Sequence, residues 1–364
     1  MSTTPQPEGQ RPAESPVPIQ AVAPYASKVR KSSPGRFLLV LVLIVLLGSL
    51  VLNFLLAGVA GLSLTGALET DGRIHEKFFS HSSAASDKVV ILPIEGIITE
   101  AEDGFVKRAI DRVAKDKDVK ALVLRVDSPG GSVSGSDYIL HHLKDMAKED
   151  NRDLPIVVSM GGIAASGGYY VSMAVGETPD TIFAEPTCFT GSIGVIIPHY
   201  NVAGLMEKYG VADDSIPSHP LKEMGSPTKA MTEQERKIFQ ALVNDNFERF
   251  KAIIRSGRSQ FKKDPAALDA LATGQIYTAD QAKQNGLIDR IGFVEDAVDR
   301  AIALAKLDKD KVKVVRYKPE VGLWSTLMGG QSRSSSLTDL RALLEMTTPR
   351  AYYLCTWLPG LGPR

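Results

Sequence analysis

The sequence predicts an α/β domain built on a buried, mainly parallel sheet, preceded by one long apolar helix. Three observations carry that expectation. Short, nearly continuous apolar runs such as Ala121–Val126 (ALVLRV) and Pro155–Met160 (PIVVSM) alternate with amphipathic stretches. Strands separated by helices make βαβ units, and a parallel sheet covered on both faces reads as apolar runs rather than strict alternation. Ahead of the domain lies a run of 26 residues, Phe37–Leu62, without one charge.

The chain order supplies the detail. Residues 1–36 carry seven prolines and few large apolar groups. Such a segment buries too little surface to offset ordering, so a disordered leader is expected. It ends in Lys28, Arg30, Lys31 and Arg36. Residues 37–62 contain only Ser49 and Asn53 as polar groups, and about 1.5 Å per residue lets them cross a ~30 Å hydrocarbon core. Positive charge before the run, with Glu69 and Asp71 the first charges after it, places the N-terminus on the cytoplasmic side. A cleaved signal peptide would have a shorter leader and a shorter apolar region. A retained transmembrane anchor is therefore expected, then a stalk over 63–86, a globular domain over 87–317 and a C-terminal extension over 318–364.

Within the domain, strands are expected at 89–93, 121–126, 155–160, 181–183 and 192–197. Helices are expected at 104–116, 134–149, 166–176, 232–257, 265–272 and 278–285, the last stopped by Gly286. In the extension, GGQSRSSS precedes a stretch, 337–346, that could form an amphipathic helix.

Composition narrows the function. Hydrophobic residues make up 44% and charged residues 23%, which suits a globular core. Lys+Arg and Asp+Glu both total 42, so no net charge attracts nucleic acid or another polyanion. The two cysteines, Cys188 and Cys355, permit at most one disulfide, whose geometry the sequence does not give. No CxxC pair or Cys/His cluster suggests structural zinc, and no other metal or cofactor is called for.

Three motifs carry chemistry. Asp127-Ser128-Pro129-Gly130-Gly131-Ser132 follows an expected strand and precedes an expected helix. Its glycines let a ligand approach backbone N–H groups that can face a developing oxyanion. A plain strand-to-helix turn fits the same residues. Ser166 stands in Gly161-Gly162-Ile163-Ala164-Ala165-Ser166-Gly167-Gly168-Tyr169-Tyr170, between a strand and a helix and flanked by small residues. That placement suits a nucleophile, although the GxSxG pattern is absent. A helix N-cap is the bland alternative. A serine nucleophile needs an activator. Of the six histidines, His75 and His81 fall in the expected stalk, His141 and His142 face different sides of a helix, and His199 and His219 have no obvious orienting carboxylate motif, so a Ser/His/Asp triad stays open without positive support. The third motif is Leu221-Lys222-Glu223-Met224-Gly225-Ser226-Pro227. A lysine base working near pH 7–8 must lose about 2–3 pKa units by desolvation, at roughly 1.4 kcal/mol each. A solvated surface lysine is the ordinary alternative.

Taken together and in order, DSPGGS (127–132), AASGGYY (164–170), TGSIGV (190–195) and KEMGSP (222–227) strongly resemble the signal peptide peptidase A family, in its short membrane-anchored bacterial form. GQIYTADQAKQNGLID (274–289) is similar to the family's late helix-and-turn segment, and the resemblance spans roughly residues 88–300. It implies a crotonase-like α/β core of the Clp-protease kind. It implies Ser166 as nucleophile, Lys222 as general base and Ser192 as the lysine's orienting partner. Gly131 then donates to the oxyanion, with the Gly167 amide as the natural second donor. It also implies a homo-oligomeric ring, octameric in expectation, at the bacterial cytoplasmic membrane with the peptidase domain outside. Whether Ser166 and Lys222 pair within or between subunits stays open. The implied substrates are signal-peptide remnants and other hydrophobic or unfolded segments. Two rivals remain: an acyl-thioester enzyme of crotonase type, which would not need Ser166, and an inactive membrane scaffold.

Overall fold

A computed structural model of the chain describes residues 34–64, 74–99, 104–149, 152–319 and 351–354. The chain divides into two compact units, Met1–Thr65 and Gly66–Arg364.

The first unit contains α1, Pro34–Leu64, a helix of 31 residues. Leucine, valine and isoleucine dominate it, and no proline or charge interrupts it after Arg36. Its described side chains run from Leu38 to Phe54 and are exposed on every side. Among the described residues, no helix is long and apolar enough to cross a membrane.

The second unit is an α/β domain. In chain order it comprises β1 (Ile74–His81), β2 (Lys88–Glu95), α2 (Phe105–Lys115), β3 (Val119–Ser128), β4 (Gly130–Ser132), α3 (Val133–Lys148), β5 (Ile156–Ala165) and α4 (Gly167–Ser172). There follow β6 (Ile182–Ala184), β7 (Phe189–Gly191), α5 (Ala203–Lys208), α6 (Glu233–Gly257), α7 (Ser259–Lys263) and α8 (Pro265–Leu271). The unit ends with β8 (Ile276–Thr278), α9 (Ala279–Gln284), β9 (Arg290–Ile291), α10 (Val294–Leu304), β10 (Lys313–Pro319) and β11 (Tyr352–Leu354).

The main sheet runs β1-β10-β2-β3-β5-β6-β9. Along that path every neighbouring pair from β10 to β9 is parallel and β1 is antiparallel to β10; off it, β7 joins β5 in parallel and β8 joins β7 antiparallel. Alternate side chains of the central strands feed two cores. Val90, Leu92, Leu122, Leu124 and Val158 pack on one face with residues of α2, α3 and α4. Val89, Ile91, Val123 and Val157 pack on the other with Val298 and Ile302 of α10. Burial on both faces explains why β2, β3 and β5 read as apolar runs.

Two segments differ from the expectation. The stretch expected as a stalk, 63–86, contains β1, which completes the sheet edge against β10. An edge strand is half exposed, so its composition (IHEKFFSH) stays polar and hides it. Glu76 on it pairs with Lys88 and Arg112. The strand expected at 192–197 is displaced to Phe189–Gly191, with only Ile196 in an isolated bridge. Cys188 is a free, buried thiol, pushed up to about 12 by desolvation. The leader over 1–33, the stretch 337–346 and Cys355 lie outside the described residues.

One buried ion pair fastens the late helices to the sheet beside β5. Arg258, 6% exposed, donates from Nη1 to Asp289 Oδ1 at 2.7 Å. The other Asp289 oxygen accepts from the Thr181 and Ile182 amides at 2.8 and 2.9 Å, at the start of β6. Asp289→Ala would leave the guanidinium unpaired and two amides unmet. We expect a loss of about 3–5 kcal/mol in urea unfolding, against a change within about 0.5 kcal/mol for the exposed Lys262→Ala.

Candidate active site

Open α/β sheets bind ligands beyond the carboxyl ends of their strands. Here β3 and β5 end together, and both chemical motifs begin there. β5 changes neighbours along its length. Val158–Met160 pair with β6, whereas Ile163–Ala165 pair with β7. Against β3 the register slips from Val126↔Met160 to Ser128↔Ala164, so Gly161 and Gly162 bulge from the ladder. The Ile163 amide donates to Asp127 Oδ1 at 3.1 Å and pins the bulge.

Ser166 follows at once, 1% exposed, with φ 55° and ψ −114°. A serine in that region is strained and persists only where its surroundings fix it. Two main-chain bonds do so. Its amide donates to the Gly191 carbonyl at 2.8 Å, and its carbonyl accepts from the Tyr170 amide at 2.9 Å. The N-cap alternative fails, because the Ser166 side chain accepts no bond from α4. Among the described residues its hydroxyl has no hydrogen-bond partner.

The glycine turn stands against it. Gly130 has φ +100°, and a Cβ there would lie 2.7 Å from the Gly167 amide nitrogen and 3.1 Å from Ser166 Cβ. A Cβ on Gly131 would lie 1.8 Å from the Ile98 carbonyl oxygen, and one on Gly167 would lie 3.2 Å from the Gly131 nitrogen. The Gly131 and Gly167 amides are therefore neighbours beside the serine, in a place that side chains cannot enter. Ile98 anchors the turn, donating to the Gly130 carbonyl at 2.8 Å and accepting from the Ser132 amide at 2.9 Å. Ser132 itself caps α3 through the Gly135 amide.

Ser192 follows Gly191 directly, so the bond from the Ser166 amide brings the two serines side by side. Ser192 is 7% exposed with φ 51°, and its amide donates to the Gln275 carbonyl at 2.7 Å. Lys222 is elsewhere in its surroundings. It lies on the short 3-10 turn Pro220–Glu223, capped by His219, and is exposed. Among the described residues its ammonium has no ion-pair or hydrogen-bond partner. A single chain thus gathers Ser166, Ser192, Gly131 and Gly167 and leaves Lys222 in the open. None of the six histidines bonds Ser166: His141 pairs with Asp145, and His199 faces the Ser226 carbonyl.

The sequence reading missed a segment at this site. β11 pairs antiparallel with β4, with Tyr353 opposite Gly131 and Leu354 opposite Gly130. On its other side Tyr352 exchanges two bonds with Ile196, at 2.9 and 3.0 Å. The Tyr353 ring is buried, stacked on Tyr170 at 5.0 Å and tilted on Phe250 at 4.5 Å. Its hydroxyl donates to the Asn246 carbonyl at 2.9 Å. The apolar run AYYL was the available signal, but it stands alone after residues with no strand pattern.

Comparison with known proteins bears on the family. The model of peptidase family S49 matches residues 148–308. A putative signal peptide peptidase SppA of Enterococcus faecium is 37% identical over 260 residues, 68% of this chain and 72% of that protein. Protease 4 of Salmonella typhi is 38% identical over 207 residues, 57% of this chain and 32% of that much longer one. The chloroplastic serine protease SPPA of Arabidopsis thaliana is 31% identical over 247 residues, 66% of this chain and 34% of that one. Among solved structures, a mutant of a membrane-bound stomatin-specific protease aligns with a TM-score of 0.40 at 17% identity, covering 65% of this chain and 100% of that one. A relative this close over most of its length, the family match and a large parallel-rich sheet lead to one conclusion: the chain belongs to peptidase family S49, as a serine peptidase of the signal peptide peptidase A type.

Proposed function

We propose that this chain is a membrane-anchored endopeptidase that cuts signal-peptide remnants and other hydrophobic or unfolded segments, with Ser166 as nucleophile and Lys222 as general base. The strained Ser166, uncommitted in its hydroxyl and beside the Gly131 and Gly167 amides, is the observation that carries the reading.

Neutral Lys222 takes the proton of the Ser166 hydroxyl as its oxygen attacks a peptide carbonyl carbon. The oxyanion is met by the Gly131 and Gly167 amides, a contribution of about 3–4 kcal/mol per donor. The tetrahedral intermediate expels the amine, which receives the proton from the Lys222 ammonium. Water then attacks the acyl-enzyme, Lys222 again holding the proton, and the carboxylate product leaves. Ser192, beside Ser166, orients the lysine. In one chain Lys222 is exposed and without a partner. That exposure favours a site completed between subunits, in a homo-oligomeric ring where a neighbour's surface strips water from the amine.

The anchor reading rests on α1. A helix that is apolar all round needs a core or a bilayer around it. The Asn53 side-chain amide donates to the Ser49 carbonyl at 2.8 Å, so the polar groups of the apolar run are satisfied within the helix, as a hydrocarbon setting demands.

A serine-directed phosphonate with peptide mapping is expected to label Ser166. Ser166→Ala and Lys222→Ala should each lower kcat/KM on an unstructured apolar peptide by about 10²–10⁴. Full activity in Ser166→Ala, or turnover of an acyl-CoA without labelling, would sink the peptidase mechanism. Mixing the two inactive variants should restore activity if the pair forms across subunits, and restore none if it forms within one. A chain starting at Gly66 should leave the membrane fraction, while the full chain stays in it after a carbonate wash.

A further inference from the structure

Asp127, the penultimate residue of β3, stands where the nucleophile strand and the glycine turn are both held. It is exposed, as most aspartates are. Its side chain nevertheless has a distant main-chain partner. The Ile163 amide, 36 residues along the chain, donates to Oδ1 at 3.1 Å. Among the described residues Asp127 forms no ion pair. The neighbouring guanidinium is taken, since Arg125 pairs with Glu185 and donates to Ser159 Oγ at 2.9 Å. The Asp127 carboxylate thus serves the β5 main chain and balances no charge.

That bond falls inside the register slip. Between the pairs Val126↔Met160 and Ser128↔Ala164, β3 advances two residues and β5 advances four. A bulge of this kind leaves residues without ladder bonds, so the strand beyond it needs another fixing. The bond at Ile163 supplies one just before pairing resumes at Ala164, two residues ahead of Ser166. Gly161 makes room for the carboxylate, because a Cβ there would lie 3.2 Å from Asp127 Cγ and 3.0 Å from Arg125 Nη2.

The backbone of the same residue reaches the other half of the site. The Asp127 carbonyl accepts from the Gly96 amide at 2.9 Å. Ser128, next to it, donates from Oγ to the Gly96 carbonyl at 2.6 Å and accepts from the Gly130 amide at 3.1 Å. From Gly96 the chain runs to Ile98, which anchors the turn at Gly130 and Ser132. One strand end therefore holds the Ser166 side through a carboxylate and the Gly131 side through main chain and a hydroxyl. The spacing of nucleophile and oxyanion donor is the spacing of these two attachments.

We propose that Asp127 is a positioning residue for the peptidase reaction: through its bond to the Ile163 amide it sets the place of Ser166 against the Gly131 amide. The proposal rests on Ser166 as nucleophile and Gly131 as oxyanion donor, and Lys222 does not enter it. A misplacement of about 1 Å can cost roughly 100-fold in rate. The loss should appear in the transition state, because the oxyanion forms only there.

The test uses the full chain and an unstructured apolar peptide. Exhaustive labelling of Ser166 by the serine-directed phosphonate counts competent sites, and kcat is expressed per labelled site. Asp127→Ala should lower kcat by about 10–100-fold with KM within about twofold. Asp127→Asn keeps an acceptor oxygen for the Ile163 amide and should hold kcat within about threefold of the unaltered chain. Gly161→Ala crowds the carboxylate without removing it and should lower kcat as Asp127→Ala does. A role in folding alone would reduce the labelled fraction and leave kcat per labelled site unchanged. That result, or an equal loss in the Ala and Asn variants, would overturn the proposal. An unlabelled Ser166 in the unaltered chain would bring down the nucleophile assignment and the positioning role with it. A labelled Ser166 with full turnover in Asp127→Ala would bring down the positioning role alone.

Discussion

The site hangs on a main-chain hydrogen bond, from the Ser166 amide to the Gly191 carbonyl. It joins the ends of β5 and β7 and holds Ser166 with positive φ, while Ser192 on the far side of Gly191 also has positive φ. Neither serine would stay there in an isolated loop, where relaxation to an ordinary region is favoured. Burial of the surrounding sheet on both faces prevents that relaxation. Val158, Met160 and Ala164 of β5, the strand that leads into the serine, are all in the buried core.

Glycines do complementary work on the opposite side. At Gly130, Gly131 and Gly167 the missing Cβ atoms are what let three backbone segments meet beside one hydroxyl. The amide donors come from the backbone, so their positions follow the strand ends and need no rotamer. A rigid cradle of this kind stabilises charge without reorganising as the charge develops. The lysine obeys other rules. It sits on a short turn reached from a loop-rich segment, exposed in the single chain. The rigid elements thus come from the sheet, whereas Lys222 lies at the exposed periphery.

The same sheet-end geometry accounts for β11. β4 is bridged to Ile98 on one edge and presents the other to an extended chain. The chain's own tail satisfies it, and the aromatic triad of Tyr170, Phe250 and Tyr353 gives the strand a side-chain anchor as well as a ladder.

The amino-acid sequence alone determined what local pattern can encode. The apolar runs of β2, β3 and β5 announced a doubly buried parallel sheet, and the periodicity of α2, α3 and α6 announced its cover. Small residues around Ser166 and the paired glycines at 130–131 marked where backbone segments come together, because close approach of backbone has a compositional signature. Non-local facts were settled only by tertiary structure. β1 carries too polar a pattern to be seen without β10 beside it. Whether Ser166 caps a helix or stands free depends on dihedral angles fixed by Gly191, 25 residues on. The seat of Tyr353 depends on Tyr170, Phe250 and Gly131, each about a hundred residues or more away along the chain. Pattern reports the preference of a segment for burial and period; it carries no information about which distant segment will satisfy that preference.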